Sequence, residues 1–401
     1  VVWVSDLSYL TSPNSKMCLK VVSHVNPMYG GIAASLPPFC QAFESDDRYQ
    51  ATLVGFCNSD ELKGQQSSLL SSTFSPNRID WLVNREANRK LDSLFQSTDI
   101  VHIHGIWETH CFIASRWARC KKIPYLISAH GMLDPWALTQ KRWKKKLYSA
   151  LIERGNLQRA DCLRAITVNE AAQYRQFGLI NPIAVIPNGV DIPQNLSADL
   201  FWQKHPNLKQ KEIVLFLGRL HPKKGIFPLC LAWHQIHKKF PEAHLVFAGP
   251  DFEGSEDRLR DIVGAHNLQD CVSIIGPVYG GLKWSAYVAA GVFILPSFSE
   301  GFSVAVLEAM GTGTPVVLSD SCYFPEALAA EAGWPSGTSE LEIADTLTQV
   351  LSTSKANRLR IGQNGSKLIL SSYSWSGIAS QFGDLYDYVL GGARPTTVQM
   401  F

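Results

Sequence analysis

Residues 295–317 read LPSFSEGFSVAVLEAMGTGTPVV, and this stretch decides the fold. Residues 291–295 are apolar and stop at Pro296, the pattern of a buried strand. Residues 297–301 are polar and able to turn. Ser303 stands where a helix cap is needed, a helix is predicted over 304–310, and Gly311 with Gly313 ends it. Residues 314–318 are β-branched and apolar again, which predicts the next parallel strand. A helix that begins beside the carboxyl end of a parallel strand offers unbonded N–H groups and a positive dipole end to an anion. Two carboxylates frame that start. Glu300 lies in the loop, and Glu308 lies in the second turn with its side chain leaning back toward the helix start. The layout suits a ligand with both phosphate and hydroxyl groups. An ordinary amphipathic helix beside a surface loop is the plainer alternative.

A chain of 401 residues is too long for one ordinary core, so two or three domains are expected. A 46% hydrophobic and 18% charged composition is globular, and a formal charge of +2 provides no whole-protein field to attract nucleic acid. Nine cysteines, an odd count with no C-x-x-C, suggest reduced thiols in a cytoplasmic protein rather than a disulfide framework. No apolar run approaches the ~20 residues of a membrane helix. The first residues lack a basic-then-apolar signal pattern.

Residues 1–16 read as an edge strand or a tethered arm. A strand over 19–25 feeds NPMYGGIAASLPPFCQAF. Gly30 and Gly31 allow close backbone approach to a ligand, or simply a turn. Pro37 and Pro38 predict that the following helix is broken or begins late. No G-x-G-x-x-G is present here, which argues against a nicotinamide cofactor. Further strands are expected over 49–56, 99–104 and 124–130, a mobile Ser-rich loop over 57–75 and a helix over 79–95. His102 and His104 share one face of a strand, with His110 near. A metal site is one reading, but no carboxylate or cysteine stands at ligand spacing, and an ordinary strand is the other. His130 closes a strand at its carboxyl end, where doubly wound sheets place ligand contacts.

Lys141, Arg142, Lys144, Lys145 and Lys146 are interleaved or flanked by Trp136, Leu138, Trp143, Leu147 and Tyr148. Such a helix can lie on an anionic bilayer, at about 1 kcal/mol per basic residue near the surface. A solvated face with a structural Trp fits the same residues. Pro187, Asn188 and Gly189 punctuate the best domain boundary. Beyond it, the apolar run 212–217 enters GRLHPKKG at 218–225. Arg219 and Lys224 flank a loop at a helix start, where a planar guanidinium and a mobile ammonium could neutralise a nucleoside diphosphate; Lys223 is an adjacent competitor.

Taken together, SEGFSVAVLE, GRLHPKKG, IPNGVD and the short aromatic signal at 373–375 resemble the retaining glycosyltransferases of family 4 (glycosyl transferases group 1). The likeness runs from about residue 17 to 390. It implies an α/β chain of GT-B fold, with two doubly wound Rossmann-like domains facing across a cleft. The implied parts are an arm (1–16), an acceptor domain (17–190), a nucleotide-sugar donor domain (191–375), a helix crossing back (376–391) and a tail (392–401); residues 391–401 read as disordered. Through the same resemblance, Glu300 faces the donor sugar, Glu308 binds the ribose, Arg219 and Lys224 hold the diphosphate, and His130 contacts the sugar. Gly30 and Gly31 sit under the donor phosphates, and Gly301, Phe302, Ser303 and Val304 complete the donor site. His130, Arg219, Lys224 and Glu300 form the implied catalytic set. The loop GPDFEG departs from the family's Gly-x-Gly, so its contacts do not carry over.

The implied reaction is metal-independent, retaining transfer of a hexose, with UDP-glucose as first choice of donor. The implied acceptor is a glycan or lipid-linked glycan in polysaccharide biosynthesis. It would proceed in the cytoplasm, or on the inner face of the cytoplasmic membrane if the basic helix binds lipid. The chain has no D-x-D, so no metal is expected, and no cofactor beyond the sugar-nucleotide co-substrate. A GT-B sugar-nucleotide epimerase, a glycoside hydrolase using Glu300 and Glu308, and a non-catalytic nucleotide-sugar binding subunit are the alternatives.

Overall fold

A computed structural model of the chain describes residues 2–4, 15–23, 31–43, 47–56, 71–72, 92–139 and 142–400. The chain forms two compact units, Val1–Gly189 with Trp375–Phe401, and Val190–Ser374.

The first unit is built on strands β1 (Val2–Val4), β2 (Lys16–Val22), β3 (Tyr49–Phe56), β4 (Ser71–Ser72), β5 (Ile100–His104), β6 (Tyr125–Ser128), β7 (Cys162–Ala165) and β8 (Ile183–Val185). The sheet runs β4-β1-β3-β2-β5-β6-β7-β8, parallel from β3 to β8. Residues 2–4 form β1, which pairs antiparallel with β3 on one side and with the short β4 on the other, so β1 lies one place in from the edge that β4 forms. Apart from Ser71–Ser72 and the helical residues 92–95, the expected loop over 57–75 and helix over 79–95 lie outside the described residues.

Two expectations are corrected in this unit. The helix with paired prolines is neither broken nor late. It runs continuously as Gly31–Ala42 with Pro37 and Pro38 inside. Each proline removes a backbone donor, but Leu36, Phe39 and Cys40, with Phe43 just beyond, are buried in one cluster. The helix Trp375–Val389 packs on it, with Phe39 5.2 Å from Trp375 and 4.5 Å from Phe382 between ring centroids. Burial of such side chains, about 1.5–3 kcal/mol each, outweighs the local penalty. Residues 392–400 are also not a disordered tail. Strand β15 (Val398–Gln399) pairs antiparallel with β8, with Val398 buried, and covers an edge that would otherwise be open.

The second unit carries β9 (Glu212–Leu217), β10 (Ala243–Ala248), β11 (Val272–Ile274), β12 (Ala290–Leu295), β13 (Val316–Ser319) and β14 (Gly333–Ser336). Their order is β11-β10-β9-β12-β13-β14, all parallel. By position this is 3-2-1-4-5-6, a doubly wound sheet whose direction of winding reverses between β9 and β12. Residues 213–216, 243–248 and 292–295 are buried on both sheet faces, which is why they read as apolar runs rather than alternating ones.

Candidate active site

The loops that leave β9 and β12 emerge side by side at that reversal point, where open α/β sheets bind ligands. The Phe298 N–H donates to the Lys223 carbonyl at 2.8 Å. Gly225, at φ +73°, lies so close to Pro296 that an added Cβ would stand 2.2 Å from its carbonyl oxygen. Only glycine fits there. Between these points the 3-10 turn Pro222–Lys224 presents Lys224 to the neighbouring loop.

Glu300 receives it. Its Oε1 lies 2.5 Å from Lys224 Nζ and accepts from Ser297 Oγ at 2.6 Å. Glu300 is buried, which pushes its carboxyl up, but Lys224 and the Ser297 hydrogen bond outweigh burial and hold it below the ordinary range. Four residues on, the helix Val304–Gly311 begins. Ser303 occupies the cap position in extended backbone, yet its side chain makes no capping bond, contrary to the expectation from sequence. Glu308 is buried in this helix. Its Oε1 is 2.5 Å from Lys283 Nζ, and its Oε2 accepts from Tyr287 Oη at 3.0 Å.

Arg219 is exposed just after β9, with its guanidinium 5.6 Å from the Phe252 ring centroid. Gly301, Phe302 and Val304 are half-buried. Phe302 meets Phe324 edge-on at 5.6 Å and stacks on Tyr373 at 6.3 Å. The donor-side residues named from sequence in this unit therefore all lie on the β9 and β12 loops or the helix after them. Ser297, Lys283 and Tyr287 were not singled out. Lys283 and Tyr287 are four apart on the helix Gly280–Ala289, a spacing that shares a face, but their partner is remote in sequence.

In the first unit, His130 and Gly131 are both left-handed, at φ +54° and +76°. Glu170 pins this turn: it accepts from the Gly131 N–H at 2.6 Å, the Ile166 N–H at 2.7 Å and Tyr174 Oη at 3.2 Å. His130 Nε2 lies 3.0 Å from His104 Nδ1, and burial, then the Arg164 charge, depresses His130 well below the ordinary histidine value. His102 bridges Tyr386 Oη at 2.9 Å and Ser128 Oγ at 2.8 Å, while His110 pairs with Glu108 at 3.4 Å. The three histidines weighed as a metal site thus have separate partners. Among the described residues no group of three His, Cys, Asp or Glu could hold a metal. Gly30 lies outside the described residues, and Gly31 is the first residue of its helix. The eight described cysteines are free.

The family model for glycosyl transferases group 1 matches residues 199–368, and the model for the glycosyl transferase 4-like domain matches 72–189. A phosphatidyl-myo-inositol mannosyltransferase of Mycobacterium leprae is 30% identical over 311 residues, covering 73% of this chain and 74% of that protein. This chain belongs to the group 1, family 4 glycosyltransferases. A second relative of this glycosyltransferase is the GDP-mannose:cellobiosyl-diphosphopolyprenol alpha-mannosyltransferase of Xanthomonas oryzae. It is 26% identical over 76% of this chain and 77% of that protein. The fold is GT-B, with two Rossmann-like domains. Anabaena HepE, solved with UDP-glucose, superposes with a TM-score of 0.74 over 93% of this chain and 99% of that chain, at 17% identity. These relatives do not support an epimerase or a glycoside hydrolase. Among the described residues, no helix is long and apolar enough to cross a membrane.

Proposed function

We propose that this glycosyltransferase moves a hexose from a nucleoside diphosphate sugar to a hydroxyl of a glycan or lipid-linked glycan, with retention at the anomeric carbon and without a metal. The observation that carries the reading is the convergence at the β9–β12 reversal point. Two cationic side chains, Arg219 and Lys224, and a helix start at Ser303–Val304 lie on the same two loops as Glu300, with Glu308 one helical turn further on. In the reaction, the bond from the sugar C1 to the diphosphate oxygen breaks and the acceptor oxygen bonds to C1 on the same face. The acceptor proton passes to the departing phosphate oxygen. Arg219, Lys224 and the helix N–H groups offset the charge that develops on the diphosphate. Glu300 orients the sugar, with Gly301 and Phe302 beside it, and Glu308 accepts from the ribose. His130, Gly30 and Gly31, in the first unit, take the sugar and phosphate roles carried from the resemblance.

UDP-glucose is the donor we propose first. GDP-mannose is the second reading, favoured by the relative whose name specifies it. Polysaccharide assembly at an anionic membrane surface completes the proposal. Its support is the segment from Arg142 onward, where Trp143, Leu147 and Leu151 are exposed at four-residue intervals beside exposed Lys144 and Lys146. Lys145 does not join that face, since its ammonium donates to the Ala137 carbonyl at 2.6 Å.

Thermal shift against nucleoside diphosphates and their sugars tests the donor reading, with wild type compared to Arg219→Ala and Glu308→Ala. A rise with one nucleotide, lost in both variants, is expected. A flat response from well-folded protein would remove the proposal.

A further inference from the structure

Glu308 does not stand alone in its helix. Its two carboxylate oxygens are held by different donors, Oε1 by the Lys283 ammonium and Oε2 by the Tyr287 phenol. Both donors come from one face of the helix Gly280–Ala289, which precedes β12. That helix is itself fixed close to the carboxylate. Tyr287 is fully buried, with its ring 5.9 Å from Phe293, and its carbonyl accepts from Thr314 Oγ1 at 2.8 Å. Lys283 Nζ lies 4.5 Å from the Trp284 ring centroid. Burying a carboxylate is expensive unless it is paired and hydrogen-bonded, and here one cation and one neutral donor meet that need.

The consequence is geometric. One partner per oxygen prevents the carboxylate from rotating, and each oxygen keeps a further lone pair. A rigid carboxylate with one vacancy on each oxygen matches two adjacent hydroxyls, as a vicinal diol presents them. A single hydroxyl gains no such match. Burial, and then the Glu308 charge, pushes the Tyr287 phenol well above its ordinary value, so it stays a donor across the working pH range.

We infer that Lys283 and Tyr287 are positioning residues that lock the Glu308 carboxylate, and that this lock makes the site select a ribonucleoside over a 2′-deoxyribonucleoside diphosphate. The inference rests on the reading of Glu308 as the ribose acceptor. Loss of the 2′-hydroxyl removes one hydrogen bond to a charged group, which corresponds to about tenfold in affinity. Without the lock, the carboxylate turns freely and the second hydroxyl adds little.

The test is calorimetric titration of UDP, 2′-deoxy-UDP, GDP and 2′-deoxy-GDP into wild type, Lys283→Met and Tyr287→Phe, with circular dichroism of each protein as a folding control. Wild type is expected to prefer the ribonucleotide of its own base by about tenfold. In both variants the preference should shrink to within about twofold, chiefly through weaker ribonucleotide binding. A merely structural role would weaken ribo and deoxy forms alike and keep their ratio, which overturns the inference. Equal binding of both forms by wild type overturns it too, while the nucleotide-sugar reading stands. Absence of binding to all four by folded wild type removes both. Tyr287→Phe keeps the ring in place, so the question remains answerable if Lys283→Met does not fold.

Discussion

The Lys224 ammonium and the Glu300 carboxylate, 76 residues apart in the chain, form a buried ion pair because β9 and β12 are neighbours in the sheet. Lys224 thereby neutralises a buried carboxylate, and on the proposed reading the same cation would also offset the charge of a departing diphosphate.

Lys224→Met should reveal both. Glu300 keeps Ser297 but loses its charge partner, so unfolding free energy at neutral pH should fall by roughly 1–3 kcal/mol and transfer by about 100-fold. The folded Glu300 carboxyl is held below the 4.5 of an unperturbed glutamate. The stabilisation is therefore complete above pH 4.5 and is lost as pH falls through the lower folded value. Denaturant unfolding of wild type and variant should give a gap that closes on acidification; a gap indifferent to pH would contradict this.

Arg219→Ala should separate binding from stability. The side chain is exposed, so unfolding free energy should change by less than about 0.5 kcal/mol. Nucleoside diphosphate affinity should fall about 10- to 100-fold, and Arg219→Lys should recover only part of it, because lysine lacks the planar fork. Unchanged affinity in the alanine variant would take Arg219 out of the site.

Lys20 predicts an alkaline signature in the first unit. It is fully buried, its ammonium 3.3 Å from the Phe39 ring centroid and 3.1 Å from Tyr386 Oη. Burial lowers it from 10.5 to about 8. Between those values the unfolded chain binds the extra proton, so stability rises with pH across that window. Relative to Lys20→Met, wild type should gain about 3 kcal/mol between pH 8 and pH 10.5. Parallel curves for the two proteins would show that Lys20 is charged throughout.

Vesicle flotation examines the exposed stripe. Wild type should float with vesicles containing phosphatidylglycerol and not with pure phosphatidylcholine. Replacing Trp143, Leu147 and Leu151 by Ser should abolish flotation, and Lys144→Gln with Lys146→Gln should weaken it by about tenfold. Equal recovery on both vesicle types, or none on either, would end the membrane reading.

Proton NMR of the product formed from an α-linked donor should show an α-linked sugar. A β linkage would overturn retention.

Much of this was legible without coordinates. The parallel strands of the second unit had to be apolar on both faces, so 212–217, 291–295 and 314–318 read as strands directly. Gly225, Pro296 and Gly313 punctuated the loops between them. Glu300, Glu308, Arg219 and Lys224 stood out because each sits in a short motif whose chemistry is local. The proline-bearing helix and the last residues misled for the opposite reason: their local propensities were overridden by burial of Phe39 against Trp375 and Phe382, and by pairing of Val398 on β8.

The sequence by itself determined two α/β units, the boundary near residue 190, the family and the loops that carry its polar side chains. The units, the boundary and the loops follow from periodicity and punctuation over a few residues, and the family follows from the resemblance of its short motifs. Only the tertiary structure decided that Lys224 grips Glu300, that Lys283 and Tyr287 divide the oxygens of Glu308, that Glu170 pins the turn beyond His130, and that Lys20 lies buried over an aromatic ring. Those partners are set by strand order and helix packing, which join residues far apart in the chain, and no local pattern records them.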